Sequence, residues 1–398
     1  MSGKNRIQFL REHLRRAVIS FLGLVITILV RGYHSCRRTP EAIYFYYDQS
    51  IHQIHHTLYI AIELSNIQKR YPVFLLCLSQ EAAKIIEQEL SSIPNRVHLV
   101  KVWHPGYASP QLNINWSIFW ARLRIARPKA MVVADYYDNV LRQLGVKTFW
   151  VYVPHGLINR QFASDPHVRD YDLVFLPGER DRAEFDRRLG ELRNVEVIGY
   201  TKFDYFQHHD RPSFSRGTGQ KPVVLYNPHF EESLSSFFNA GAEFLQALSA
   251  GGKVEVLFMP HPDLSRRYPR LLEPLRGLAG VQMVERPAVN LEWLARADVY
   301  VTDVSSTAFE WLYFDKPMVF LDTVGIEQKE KQPLPSWQAG PVAKSVPQAL
   351  EMIALALADP LGYQAQRRQL REATFAHSGE RVAPFAAVRI LARCEGKV

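Results

Sequence analysis

The chain has 398 residues, 47% of them hydrophobic and 22% charged, with aromatic residues spread along its length. That exceeds what one hydrophobic core usually holds and is too apolar for bulk disorder, so two folded domains of roughly 150 to 200 residues each are expected. The net charge of +8 is uneven: residues 1–40 carry eight basic side chains against Glu12 alone, and the remainder is nearly neutral. Such a body lacks the broad basic face that nucleic acid requires, which argues against a nucleic-acid partner.

The N-terminal basic stretch IQFLREHLRR leads into AVISFLGLVITILV, fourteen uncharged residues between Arg16 and Arg31. At about 1.5 Å per residue this run is roughly 21 Å long, short of the ~30 Å hydrocarbon core. No small-x-small cleavage site follows it, and arginines close its far end. Apolar residues beside clustered arginines suit a helix over residues 1–35 that dips into the cytoplasmic leaflet of a membrane. A span with snorkelling arginines and a helix packed on the protein's own surface are the alternatives. Three cysteines, Cys36, Cys77 and Cys394, stand far apart without C-x-x-C spacing, which argues against a disulfide framework or a cysteine-built zinc site and fits thiols in a reducing cytosol.

From residue 42 the pattern becomes short apolar runs, each followed by a polar, helix-like stretch. Strands are expected at 42–47, 73–78, 96–102, 130–134, 148–153 and 172–176, and again at 222–228, 254–260, 281–284, 298–302 and 317–322. Runs of about five residues with little alternation are what a parallel sheet covered on both faces demands. Helices are expected at 234–248, 290–296, 305–314 and 346–358. Two such series predict an α/β protein of two doubly wound, Rossmann-like domains, at 40–206 and 223–360. They are joined by a Pro-, Gly- and Ser-rich linker at 207–222 and followed by C-terminal helices over 361–398. Ligands of such sheets bind beyond the carboxyl ends of the strands, so the cleft between the domains is the expected site.

Residues at strand ends carry the candidate chemistry. In TFWVYVPHGLINR, His155 and Gly156 follow a strand directly, with Pro154 stiffening its exit. An imidazole there is either a general base or a hydrogen-bonded structural residue, and Gly156 permits close backbone approach. VLFMPHPDL repeats the arrangement with His261 between two prolines. In ADVYVTDVSSTAFEWLYFDKPMVFLD a strand ends at Thr302, and Asp303, Ser305 and Ser306 precede an amphipathic helix. Serine hydroxyls and N–H groups at a helix start make either a phosphate site or a plain N-cap. Asp303 is a further cap, a partner that orients His261, or part of the donor site. No G-x-G-x-x-G or P-loop occurs, and His52, His55 and His56 lack carboxylates at ligand spacing, so they read as polar helix residues and no metal or cofactor is expected.

On these residues the chain resembles the CDP-glycerol glycerophosphotransferase family, the glycosyltransferase-B-like (GT-B-like) enzymes that prime and polymerise teichoic acids and related capsule polymers. The resemblance covers roughly 145–360. It rests on the PHG of Pro154 to Gly156, on GYTKFD (199–204) for G-x-P-x-x-D and on YNP (226–228) for Y-x-P. It rests further on the HP of His261 and Pro262, and on ADVYVTDVSSTAFEWLYFDKP for A-D-x-x-x-T-D-x-S-S-x-x-x-[DE]-x-x-x-x-x-K-P. It implies that His155 and His261 are essential and that Ser305 and Ser306 contact a donor's phosphates. Thr201 replaces the usual proline, and HFEES (229–233) stands where the family commonly has T-x-R, so an arginine near the donor is missing. The implied reaction moves glycerol phosphate, or a similar alditol phosphate, from a CDP-linked donor to a hydroxyl of a lipid-linked or glycan acceptor at the cytoplasmic face of the cell membrane. A nucleotide-sugar glycosyltransferase or epimerase of the same fold, and a non-catalytic membrane-associated binding protein, are the competing readings.

Overall fold

A computed structural model describes residues 40–397 except 103–109, 138–147, 159–165, 210–218, 286, 288, 330–333 and 378. The N-terminal segment 1–35, Cys36 and most of the linker 207–222 lie outside the described residues. Among the described residues no helix is long and apolar enough to cross a membrane.

The first sheet holds seven parallel strands: β1 (Glu41–Tyr47), β2 (Val73–Cys77), β3 (Val97–Lys101), β4 (Arg127–Val133), β5 (Phe149–Tyr152), β6 (Leu173–Leu176) and β7 (Val195–Val197), in the order β3-β2-β1-β4-β5-β6-β7. The second holds six: β8 (Val223–Asn227), β9 (Glu255–Phe258), β10 (Val281–Met283), β11 (Val299–Thr302), β12 (Met318–Leu321) and β13 (Val342–Ala343), in the order β10-β9-β8-β11-β12-β13. All pairings are parallel. In each sheet the chain starts at the centre, winds to one edge and returns to wind the other way. The break falls between β1 and β4 and between β8 and β11, and loops leaving such neighbours diverge and open a crevice.

The lack of alternation within the strands has a direct cause. Along β1, Ile43, Phe45 and Tyr47 enter one apolar cluster and Ala42, Tyr44 and Tyr46 another, so both faces are covered. The cluster holding Phe45 also takes in Leu225, Leu257 and Tyr300 of the second sheet, which makes the apolar interior continuous between the two halves. Two edge strands, β7 and β13, went unanticipated, because segments of three and two residues carry no readable periodicity. The expected helix at 234–248 is interrupted: a 3-10 turn at Glu232–Leu234 and a π turn at Phe237–Gly241 precede the α-helix Ala242–Ala250. The expected helix at 305–314 is an α-helix from Thr307 to Trp311 continued by a 3-10 turn to Phe314.

The chain does not end on the second sheet. Helix Ala383–Cys394 returns to pack on helix Ile54–Ile67 of the first half. Its start is held by Asp204, whose carboxylate accepts from the backbone N–H groups of Val382 (2.9 Å) and Ala383 (2.8 Å). Gly199, at φ +103°, lies where a Cβ would come within 2.8 Å of Ala376 O and the Val382 side chain, so only glycine fits. The glycine and aspartate of GYTKFD thus serve the return of the chain.

Candidate active site

The crevices of the two sheets face one cavity of about 560 Å³, within the range of small-molecule sites. The first half contributes His52, Gln53, His56, Asp135, His155 and Gly156; the second contributes Asn227, His229, His261, Ser305 and Ser306. Five of the six residues singled out from sequence therefore share one cavity.

His155 stands beyond β5, and its Nδ1 lies 2.7 Å from the carbonyl oxygen of Ala134, just past the end of β4. A carbonyl only accepts, so Nδ1 carries the proton and Nε2 keeps its lone pair. The Gln53 amide, 3.5 Å from the same Nδ1, donates instead to Asp135 Oδ2 at 3.0 Å. Gly156 has no positive φ, and an added Cβ there meets no protein atom within 4 Å. Its small size serves the open space beside His155 rather than protein packing.

His261 is built the other way round. It caps helix Pro262–Arg267, and its Nδ1 accepts from the Asp263 N–H at 3.1 Å, which puts the proton on Nε2. Burial pushes its pKa down to about 4, so the ring is neutral at physiological pH. The two strand-end histidines are held in opposite tautomers, His155 with an Nε2 acceptor and His261 with an Nε2–H donor.

The long serine motif divides into separate tasks. Asp303 is corrected relative to the sequence reading: its carboxylate is not in the cavity wall and does not orient His261. Fully buried, it accepts from the backbone N–H groups of His229 (2.8 Å), Val304 (2.7 Å) and Ser236 (2.9 Å) and from the Ser236 hydroxyl (3.0 Å). It ties the loop after β8 to the loop after β11. The Ser305 hydroxyl bridges Asn227 Oδ1 (3.3 Å) and the Thr307 N–H (3.2 Å), whereas Ser306 makes no side-chain cap and is exposed to the cavity. Lys316 Nζ donates to the carbonyls of Ala295 and Ala297, both at 2.7 Å, closing the end of helix Asn290–Arg296.

Several site residues escaped the sequence reading. His55 and His56 are buried rather than polar helix surface, and His52 stands exposed in the cavity with its ring 5.5 Å from that of His155. His55 lies 3.5 Å from Glu89, while His56 packs edge-on against Tyr200 at 5.3 Å. The i, i+4 spacing of His52 and His56, which puts them on one helical face, was the available signal. Lys202 and Glu310 form a buried ion pair of 2.7 Å between the halves, and Glu310 also accepts from Tyr200 and Asn290, both at 2.6 Å. Among the described residues no group of three or more His, Cys, Asp or Glu side chains is placed to hold a metal ion.

The neutral histidines give a pH dependence with a definite sign. Burial holds His261 near 4 and His56 well below the ordinary histidine range, whereas both take a proton near 6.5 in the unfolded chain. Their contribution to stability is complete above about pH 6.5 and is lost as pH falls from there toward 4, because protons then bind the unfolded chain preferentially. Thermal midpoints measured from pH 7 to pH 4 should fall less steeply for His261→Gln than for wild type; identical slopes would contradict a buried neutral His261.

Two Rossmann-like parallel sheets whose switch points open on one cleft define the GT-B type of two-domain fold, the class to which the strand-end chemistry points. The family model for CDP-glycerol:poly(glycerophosphate) glycerophosphotransferase matches residues 163–384, more than half of the chain, and the protein belongs to that family of enzymes. Solved structures agree on the fold. The wall teichoic acid polymerase TagF superposes with a TM-score of 0.67 at 13% identity, covering 100% of both chains. A TagF variant soaked with CDPG gives 0.62 at 13% identity, over 100% of this chain and 99% of that one. The S. aureus MnaA–UDP complex gives 0.58 at 14% identity, over 90% of this chain and 98% of that one. No curated protein matches the chain by sequence.

Proposed function

We propose that the protein transfers glycerol phosphate, or a similar alditol phosphate, from a CDP-linked donor to an acceptor hydroxyl and releases CMP. The observation that carries this is the pair of opposed histidine tautomers facing one cavity. The acceptor oxygen attacks the phosphorus bearing the alditol as His155 Nε2 takes the hydroxyl proton. The new P–O bond forms while the P–O bond to CMP breaks in line. Charge building on the departing CMP is met by the His261 Nε2–H and by Ser306, with Ser305 holding their loop. Gly156 leaves room beside His155 for the acceptor. The donor is bound mainly by the second half and the acceptor by the first.

The acceptor is a membrane-bound glycan or lipid-linked chain of a teichoic-acid or capsule type, and the enzyme works at the cytoplasmic face of the membrane through residues 1–35. The supporting feature is the charge of that segment and its apolar run. Incubation with CDP-glycerol and with UDP-sugars, with release of CMP and UDP followed, tests the chemistry. CMP release from CDP-glycerol is expected. UDP release instead would favour a nucleotide-sugar enzyme, and release of neither a binding protein. In the same preparations, removal of residues 1–35 should abolish sedimentation with anionic vesicles, and undiminished sedimentation would contradict the membrane assignment.

A further inference from the structure

Among the described residues the first half brings one carboxylate to the cavity wall, that of Asp135, two positions past the end of β4. Strand β4 pairs with β1, and here the winding of the first sheet reverses. The turn Ile51–Gln53 that follows β1 reaches across the resulting crevice. Buried Gln53 donates from Nε2 to Asp135 Oδ2 at 3.0 Å, and Asp135 Oδ1 accepts from the Tyr136 N–H at 2.8 Å. An ionised carboxylate has about four acceptor positions, so these two bonds fix its direction and leave capacity for a ligand in the cavity.

The loops on either side are held as well. Asp48 Oδ1 accepts from the Ser50 N–H at 2.7 Å and its Oδ2 from the Tyr137 hydroxyl at 3.4 Å, a second link between the segments after β1 and β4. The Tyr171 hydroxyl accepts from the Tyr137 N–H at 3.0 Å and donates to the Asp135 carbonyl at 3.3 Å. A carboxylate fixed in this way needs little reordering on binding. The Gln53 amide also lies 3.5 Å from His155 Nδ1, so a single amide group separates the Asp135 carboxylate from the base.

Charge narrows what this wall can hold. Lys202 is the one cationic side chain among its described residues, and Glu310 holds it at 2.7 Å. His52 and His56 line the wall as imidazoles, which can donate to or accept from a hydroxyl. A carboxylate without a cation to offset it disfavours a phosphate at this point and suits hydroxyl groups.

We infer that Asp135 binds a second hydroxyl of the acceptor's terminal unit, next to the hydroxyl whose proton His155 takes, so that the enzyme selects acceptors ending in a polyol over those ending in a lone hydroxyl. This rests on the transfer proposed above and adds an acceptor-selecting residue to it. A site built to hydrogen-bond a substrate hydroxyl rejects the analogue lacking it, because its own polar group then loses its partner.

Octyl phosphodiesters of glycerol and of 1,3-propanediol, offered to the full chain with CDP-glycerol, test this: the first ends in two adjacent hydroxyls and the second in one. For the wild type, kcat/KM followed by CMP release should favour the glycerol ester roughly ten-fold or more, as expected for a hydrogen bond to a charged group. Asp135→Ala should bring the ratio between the two esters close to one, and Asp135→Asn, which keeps an acceptor oxygen, should retain part of the preference. A wild type without preference overturns the inference, and so does an undiminished preference in Asp135→Ala. A loss of equal size for both esters overturns it too, and would assign Asp135 to holding His155 through Gln53. If Asp135→Ala does not fold, the isosteric Asp135→Asn decides: a preference equal to that of the wild type overturns the inference. If no CMP is released with either ester, calorimetric binding of the two decides. Tighter binding of the glycerol ester that is lost in Asp135→Ala overturns the proposed transfer and supports the Asp135 site, whereas equal binding of both esters overturns the site.

Discussion

Replacement of His155 by alanine should lower turnover by roughly 10²-fold or more while leaving affinity for the CDP-linked donor nearly unchanged. The split follows from placement. His155 belongs to the first half, beyond β5, and the Ala134 carbonyl fixes its Nδ1–H so that the lone pair of Nε2 is available. A base positioned this way contributes to proton removal in the transition state and little to ground-state binding of a ligand held by the other half, so kcat falls and Kd does not. Single-turnover rates under saturating donor, beside calorimetric Kd values, measure the two quantities separately. Near-normal turnover would remove His155 from the mechanism, and a parallel loss of donor affinity would move it into the donor site.

The second large effect is expected at the Lys202–Glu310 pair. Both side chains are almost wholly buried, and Glu310 gathers three donors: Lys202 Nζ, the Tyr200 hydroxyl and the Asn290 amide. Glu310→Leu leaves a buried ammonium and two further donors without their acceptor, at a cost of about 3–5 kcal/mol. The double change Lys202→Met with Glu310→Leu removes the stranded charge and should recover most of that loss. Lys202 precedes the linker and Glu310 follows β11, so the pair joins the two halves beside the cavity. Chemical denaturation of the wild type, both single variants and the double variant closes a thermodynamic cycle. Additive losses, or a cost below about 1 kcal/mol for Glu310→Leu, would mean that the pair is not coupled.

The roles of individual motif residues follow from what surrounds each of them in space. Gly199 and Asp204 belong to the stretch that matches the family's G-x-P-x-x-D, and what they touch is Val382 and Ala383, nearly two hundred residues away in sequence. Asp303 stands one position past a strand end and two before Ser305, a reasonable place for a ligand contact. Its four hydrogen bonds instead lock two loops together, because the loops after β8 and β11 leave neighbouring strands and need a common acceptor. His52 and His56 read as polar helix residues because they lack carboxylates at ligand spacing, a criterion suited to metal sites and blind to a cavity lined by imidazoles.

The βα rhythm, the two parallel sheets it implies and the residue types at strand ends are legible in the order of amino acids, since apolar runs of five and their following turns are local properties. The resemblance to the family rests on the long serine motif and the histidines beside prolines, and the family model over residues 163–384 bears it out. Which ring nitrogen of His155 and His261 bears the proton is settled by the folded chain, because that depends on whether a carbonyl or an N–H lies within hydrogen-bond reach. For His155 that partner sits just past the end of another strand, 21 residues away in the chain. The folded chain also decides that Lys202 and Glu310 meet, 108 residues apart, since two halves closing on one another make contacts that no local pattern encodes.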